Sequence, residues 1–252
     1  MQIEPAHLNK QQFKISVFVH IYYGSNYDFL KTHLLNLVNY NTSYLFNINL
    51  ASIQKNEIIS KITKDFPQAY IIETPNIGKD IGGKLALVDL YLRLNIESDY
   101  IIILHDKLSP QALNGTEWRD KLLKIIEKEN IETILDIFQN NQSVGVVANK
   151  VCILNEYSEE NNSFSTVNND LLKEYLINYQ IETSTYDFVA GTMFWIRSNI
   201  IKDFFMKYPP LEIRKKLESG NVLDNLTGTH THVLERLLGL LAGGYGYKIQ
   251  GI

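Results

Sequence analysis

The stretch QAYIIETPNIGKDIGGKLALVDLYLRLN, residues 68–95, decides how the rest of the chain is read. Residues 68–74 have the β-branched and aromatic character of a strand, and the segment from Gly82 onward reads as a helix. A glycine-rich loop joins them, so a strand feeds a helix through a tight turn. Gly78, four residues, then Gly83 and Lys84 match seven positions of a phosphate-cradling P-loop. The eighth position calls for a Ser or Thr hydroxyl to hold Mg²⁺, and here it is Leu85. Asp80 also sets a carboxylate among the amides that would cradle phosphate, and the loop follows a third strand where a P-loop usually follows the first. A nucleotide-binding protein dependent on Lys84 is therefore the third-ranked reading.

Working outward, KISVFVHIYY (14–23) and YLFNINLA (44–51) read as strands, with helical patterns between and after them, the second ended by Pro67. Beyond the loop, DYIIILHDK (99–107) is a fourth strand. TEWRDKLLKIIEKEN and IETILDIFQNN follow as helices, and SVGVVANKV (143–151) as a fifth strand. This alternation predicts an α/β fold, a mostly parallel central sheet with helices on both faces. The second half is less regular. Residues 155–170 read as a polar surface loop, and 186–198 as one further strand. Ser198 is then positioned to cap the helix NIIKDFFMKY, and THTHVLERLLGLLAGG reads as a closing helix. No repeat or flexible linker interrupts the pattern, which predicts an N-terminal tail (1–13) and a single domain (14–252).

Of the 252 residues 45% are hydrophobic and 21% charged, an ordinary globular balance. The net charge of −4 gives no global field to attract nucleic acid or anionic lipid, although a local basic patch stays open. The single cysteine, Cys152, excludes an intramolecular disulfide and a cysteine-based zinc site, and its apolar neighbours predict a buried thiol. The N-terminus lacks a signal-peptide pattern, and no apolar run reaches the ~20 residues needed to span a bilayer. The expected location is cytoplasmic, either free or attached peripherally at the inner face of the membrane.

The motif N-x-G-x-D-I-G at 76–82, placed after a third strand, resembles the hallmark loop of the rhamnan synthesis F protein family, glycosyltransferase-like proteins of bacterial polysaccharide assembly. Further similar segments follow in order: ILHDKLSP (103–110), GTEWRDKLL (115–123), VGVVANK (144–150), VAGTMFWIRS (189–198) and HVLERLLGLLA (232–242). The resemblance spans about residues 14–250. It implies a GT-A-like, single Rossmann-like domain that uses a nucleotide-diphosphate sugar as donor, with a divalent cation (Mn or Mg) as the expected cofactor. A glycan or lipid-linked glycan would be the acceptor, and other domains of a longer protein are conceivable partners. Nucleic acid is not an expected partner.

Ligands of such folds lie at the carboxyl ends of parallel strands. That places Tyr22, after strand one, and His105, Asp106 and Lys107, after strand four, among the candidate donor-binding residues. Gly78 and Gly82 would let the backbone approach a ligand closely, and Asp80 would accept hydrogen bonds from base, ribose or sugar hydroxyls, or cap a helix. His105-Asp106-Lys107 occupies the place where many such enzymes carry Asp-x-Asp to hold a cation. Three alternatives stay open there: Asp106 binds metal with His230 or His232; Lys107 offsets diphosphate charge directly; or His105 and Asp106 satisfy each other. Within the resemblance, His105, Lys107 and Ser109 match, whereas Asp106 stands where the family often has a small hydroxyl residue. Arg119 could clamp a phosphate or lie solvated on a helix. Trp195 could stack on a sugar or pack in the core.

His232 and Glu235, three apart, share a helix face. Position in the resembling fold makes Glu235 the candidate base of an inverting glycosyl transfer, with a buried salt bridge as its bland alternative. The leading expectation is a glycosyltransferase that moves a sugar, rhamnose or another deoxyhexose, onto a growing polysaccharide. A non-catalytic glycan-assembly module that keeps the fold is the second.

Overall fold

The computed structural model describes residues 10–106 and 115–252; Lys107 and Ser109 lie outside them. Eleven strands occur among the described residues. They are β1 (Lys14–Ile21), β2 (Asn41–Asn49), β3 (Tyr70–Thr74), β4 (Tyr100–His105), β5 (Val144–Ala148), β6 (Ile153–Asn155), β7 (Tyr157–Ser158), β8 (Ser163–Phe164), β9 (Asp187–Val189), β10 (Phe194–Arg197) and β11 (Lys248–Gly251). The helices are α1 (Tyr27–Leu34), α2 (Lys55–Asp65), α3 (Lys79–Arg93), α4 (Gly115–Leu123), α5 (Lys128–Asn140), α6 (Asn169–Asn178), α7 (Ser198–Lys207), α8 (Pro210–Arg214) and α9 (His230–Gly244).

Seven strands form the central sheet in the order β11-β5-β10-β4-β1-β2-β3. Every neighbouring pair is parallel except those of β10, which runs antiparallel to both β4 and β5. The mostly parallel α/β sheet expected from the alternation is therefore present. Seven of the eight residues of β1 are buried, and all of β4 and β5. Strands covered on both faces read as nearly continuous apolar runs, which is why these segments lack regular polar alternation. One face lies under α3, where the Phe18 and Tyr91 rings meet at 5.4 Å. The other lies under α5 and the turn before it: Trp195 Nε1 donates to the Ile125 carbonyl at 2.9 Å and Arg197 to that of Phe138 at 2.7 Å.

Several local expectations are corrected. Trp195 is fully buried, so core packing and not sugar stacking is its role. The strand expected over 186–198 is two, because the chain turns between them: Thr192 N–H bonds the Val189 carbonyl at 3.0 Å, with Gly191 at φ +80° and Thr192 at φ +46°. Only β10 joins the main sheet, while β9 pairs with β6. Ser198 does not cap α7; its hydroxyl donates to the Ser98 carbonyl, and Arg197 precedes the helix. The polar stretch 155–170 contains the β7–β8 hairpin and the start of α6. Cys152 is buried as expected, and burial pushes its thiol up to about 11. No helix among the described residues is long and apolar enough to cross a membrane.

The glycine-rich loop enters α3 through Gly78, whose φ of +70° favours a residue without Cβ. A Cβ there would lie 2.1 Å from Leu217 Cδ1, one on Gly82 1.7 Å from the Ile77 carbonyl oxygen, and one on Gly83 2.1 Å from His20 Nδ1. These glycines let α3 sit close to its own entry turn and to the sheet. From α8, Arg214 pins the loop, donating to the carbonyls of Gly82 at 3.0 Å and Pro75 at 2.9 Å. Gly82→Ala is expected to lower stability by about 1–3 kcal/mol in urea unfolding, since its clash is with rigid backbone. Unobstructed, the same change would favour a helix by ~1 kcal/mol, and a rise in stability would contradict the packing account.

Candidate functional site

Chain order reverses between β1 and β4: β2 and β3 lie on one side of β1, β4 on the other. Crevices at the carboxyl ends of strands at such a switch point are where open α/β sheets bind ligands. His20 and His105 are the last register pair of β1 and β4, so both stand at this crevice, on the face covered by α3. His20 is fully enclosed, its Nδ1 2.9 Å from Asn47 Nδ2. Burial, aided by the charges of Lys84 and Arg214 and opposed by Asp80, pushes its imidazole down to about 4.

Asp106 follows β4 and is 3% exposed. Its Oδ1 accepts from Tyr22 N–H at 2.8 Å, and its Oδ2 from Tyr23 and Gly24 N–H at 2.7 and 2.9 Å. Burial pushes this carboxyl up to about 7 against those bonds. The side chain thus fastens the loop after β1 to the end of β4.

Above the crevice stands the first turn of α3. Asp80 Oδ2 accepts from Lys84 Nζ at 2.6 Å and from Thr192 Oγ1 at 3.1 Å, and lies 3.6 Å from His105 Nδ1. Burial alone would raise the Asp80 carboxyl, but the Lys84 ammonium and His105 overcome it and hold it well below the usual carboxylate range. All these contacts fall on Oδ2; among the described residues Oδ1 takes no hydrogen bond. Lys84, 1% exposed, also donates to the Thr192 carbonyl at 3.0 Å and to its hydroxyl, and lies 3.2 Å from His105 Nδ1. A lysine so enclosed is not presented to a nucleotide phosphate, which corrects the P-loop reading.

The opposite wall is α9. Thr229 caps it, its Oγ1 lying 3.3 Å from His232 N and 2.5 Å from His232 Nδ1. Glu218 takes the N–H groups of His230 and Thr231 at 2.6 and 3.1 Å. His232 Nε2 lies 3.5 Å from Lys79 Nζ and 3.7 Å from Asp224 Oδ1. Burial and then the Lys79 ammonium push this imidazole below its ordinary value, against the pull of Asp224. One turn on, Glu235 Oε1 accepts from Gly191 N–H at 2.7 Å, while Oε2 stands 3.8 Å from Arg236. Arg236 itself is held by a two-pronged pair with Glu156 at 2.6 and 2.9 Å.

Between these walls lies a cleft of about 130 Å³, lined by Lys79, Asp80, His105, Gly191, His232 and Glu235 among others. It therefore gathers Asp80, His105, His232 and Glu235 from separate segments of the chain. The other expected residues that the structure describes lie elsewhere. Tyr22 packs edge-on against Tyr23, its hydroxyl accepting from Asn221 Nδ2 at 3.4 Å. Gly78 and Gly82 serve packing, as described above. Arg119 stacks 3.8 Å from the Phe29 ring centroid and pairs with Asp120 at 2.9 Å, which corrects the phosphate-clamp expectation. Lys107 lies outside the described residues.

The expected metal set of Asp106, His230 and His232 is not assembled. Asp106 is occupied by three backbone donors, and His230 Nδ1 lies 2.7 Å from the Tyr175 hydroxyl. Among the described residues no three His, Cys, Asp or Glu side chains converge as a metal site. Sequence reasoning missed Lys79 and Thr192. Lys79 sits inside the quoted motif beside Asp80, whereas nothing in the residue type announces the left-handed backbone of Thr192.

The family model for "Rhamnan synthesis protein F" matches residues 2–247. A comparison with proteins of curated function finds no match. Among solved structures, a mannosyltransferase from Pyrobaculum calidifontis in complex with GDP-Man and Mn²⁺ is similar at 11% identity and a TM-score of 0.44. That match covers 99% of this chain and 58% of the other, so the chain spans little more than half the length of that protein.

His20 carries a pH signature. Its imidazole stays neutral in the fold down to about 4 but protonates near 6.5 when unfolded. Its stability contribution is thus present above pH ~6.5 and lost as pH falls toward 4, at about 1.4 kcal/mol per pH unit. Asp106, raised to about 7, acts with the opposite sign over an overlapping range, so the comparison must be differential. Urea unfolding of wild type and His20→Gln is expected to show the gap between them shrinking by that slope from pH 6.5 to 4. A gap constant with pH would contradict a neutral, buried His20.

Proposed function

The chain belongs to the rhamnan synthesis protein F family, and on that premise we propose that it is a nucleotide-sugar-dependent glycosyltransferase acting through one domain over residues 14–252. The observation that carries this reading is the meeting of Asp80, His105, His232 and Glu235 around one cleft at the carboxyl ends of β1 and β4. A cleft of about 130 Å³ is small beside the ~300–1,000 Å³ of a whole-ligand pocket. It takes the sugar end of the donor, with the nucleoside outside it.

Asp80 is held ionised, with Oδ1 left to accept a sugar hydroxyl. Glu235, steadied through Oε1 by Gly191, keeps Oε2 for the proton of the acceptor hydroxyl. The acceptor hydroxyl oxygen attacks the anomeric carbon as Glu235 takes its proton, the bond to the diphosphate breaks, and its electron pair leaves with the diphosphate. The stereochemical outcome of such a single displacement is inversion. Lys79, on the cleft beside His232, offsets charge on the departing group. No step is routed through a metal, since the residues expected to hold one do not fit it. The donated sugar is rhamnose or another deoxyhexose, and the acceptor a growing cell-surface polysaccharide.

Thermal unfolding with UDP, GDP or dTDP, each with and without Mn²⁺, tests the donor. A diphosphate at 100 times its Kd adds about 2.7 kcal/mol. Glu235→Gln should keep that stabilisation and lose at least ~100-fold in transfer rate. Stabilisation by the diphosphate with turnover unchanged in Glu235→Gln would remove the base assignment. Silence across the panel in folded protein would favour a non-catalytic glycan-assembly module.

A further inference from the structure

Five non-glycine residues among those described have positive φ: Lys79, Asn95, Asn162, Gln180 and Thr192. Asn tolerates this region, whereas a β-branched residue in it is a true outlier. Thr192, at φ +46° and 1% exposed, is the one β-branched member. Backbone strain of this kind persists where the surroundings enforce it, and it clusters at functional sites. A glycine would occupy this position without strain.

What the threonine adds is its hydroxyl. Oγ1 accepts from the Lys84 ammonium and donates to Asp80 Oδ2 at 3.1 Å, while the Thr192 carbonyl takes a second bond from Lys84 at 3.0 Å. The preceding residue of the same turn, Gly191, gives its N–H to Glu235 Oε1 at 2.7 Å. One turn therefore touches the carboxylates on both walls of the cleft, Asp80 from α3 and Glu235 from α9. Its neighbour Gly191 is itself confined, since a Cβ there would meet the Leu122 side chain at 2.9 Å.

We infer that Thr192 is a positioning residue: its hydroxyl locks the 189–192 turn onto the Lys84–Asp80 pair and so fixes the spacing between Asp80 and Glu235. As a statement about transfer, this rests on the functional reading above. Two substitutions separate the hydroxyl from the backbone. Thr192→Ser keeps Oγ1 and removes the β-branch; Thr192→Gly removes Oγ1 and suits the left-handed backbone.

The test compares crystal structures and donor kinetics of wild type, Thr192→Ser and Thr192→Gly. The serine variant is expected to superimpose on wild type at Asp80 and Glu235 and to keep kcat within threefold. The glycine variant is expected to fold, release Glu235 from the Gly191 N–H and lose at least tenfold in kcat. Asp80 and Glu235 unmoved in Thr192→Gly would overturn the inference, as would loss in both variants alike. If wild type turns over no nucleotide sugar, the functional reading fails, and the three structures still decide whether the hydroxyl sets the spacing.

Discussion

The site rests on one buried charge, the Lys84 ammonium in the second turn of α3. Removing an ammonium from water costs several kcal/mol even after relaxation, and only close, well-aligned partners offset it. Asp80 supplies the opposite charge from one turn earlier, and Thr192 supplies two oxygens from a segment more than a hundred residues away. His105, at the end of β4, stands against the same group. Helix, strand end and turn are thereby held to a common point, and the cleft is the space left beside it. The buried pair need not add net stability to be kept; its geometry is what the neighbouring carboxylates inherit.

Acidic side chains here divide into two kinds. Asp106 and Glu218 are consumed by backbone: the first takes three N–H groups of the loop after β1, the second two from the start of α9. Asp80 and Glu235 each give one oxygen to a hydrogen bond from the protein; Asp80 Oδ1 accepts no hydrogen bond among the described residues, and Glu235 Oε2 meets the Arg236 guanidinium only at 3.8 Å. The difference is chemical as well as geometric. A carboxylate saturated by fixed N–H donors has little left for a ligand, whereas one anchored through a single oxygen is oriented and still able to accept. The glycines divide similarly, since Gly78, Gly82 and Gly83 make room for Leu217, the Ile77 carbonyl and His20.

Much of this architecture was legible in the sequence, for physical reasons. Strands buried on both faces leave nearly continuous apolar runs, and β1, β4 and β5 appear where those runs stand. The segment 76–85 does join a strand to a helix, but α3 begins at Lys79, three residues before the sequence places it, and the P-loop likeness dissolves because Lys84 is enclosed. His232 and Glu235 were placed on one helix face by spacing alone. What spacing could not give was distance between segments. Asp106 looks like a metal ligand in sequence because nothing local reveals the Tyr22–Gly24 amides that claim it. The split of 186–198 into β9 and β10 was hidden because Thr192 carries a strand-forming side chain in a turn conformation. Helix α6 was masked by the polar stretch before it, although Leu172 and Tyr175 pack on one side.

Asp80, His105, His232 and Glu235 line one cleft, which we propose binds the donor. Its most direct test is amide-resonance mapping during titration of the folded protein with UDP, GDP and dTDP. The diphosphate that binds is expected to perturb the first turns of α3 and α9 and residues 190–192. Perturbations centred instead on Phe29 and Arg119, with those segments unmoved, would contradict it.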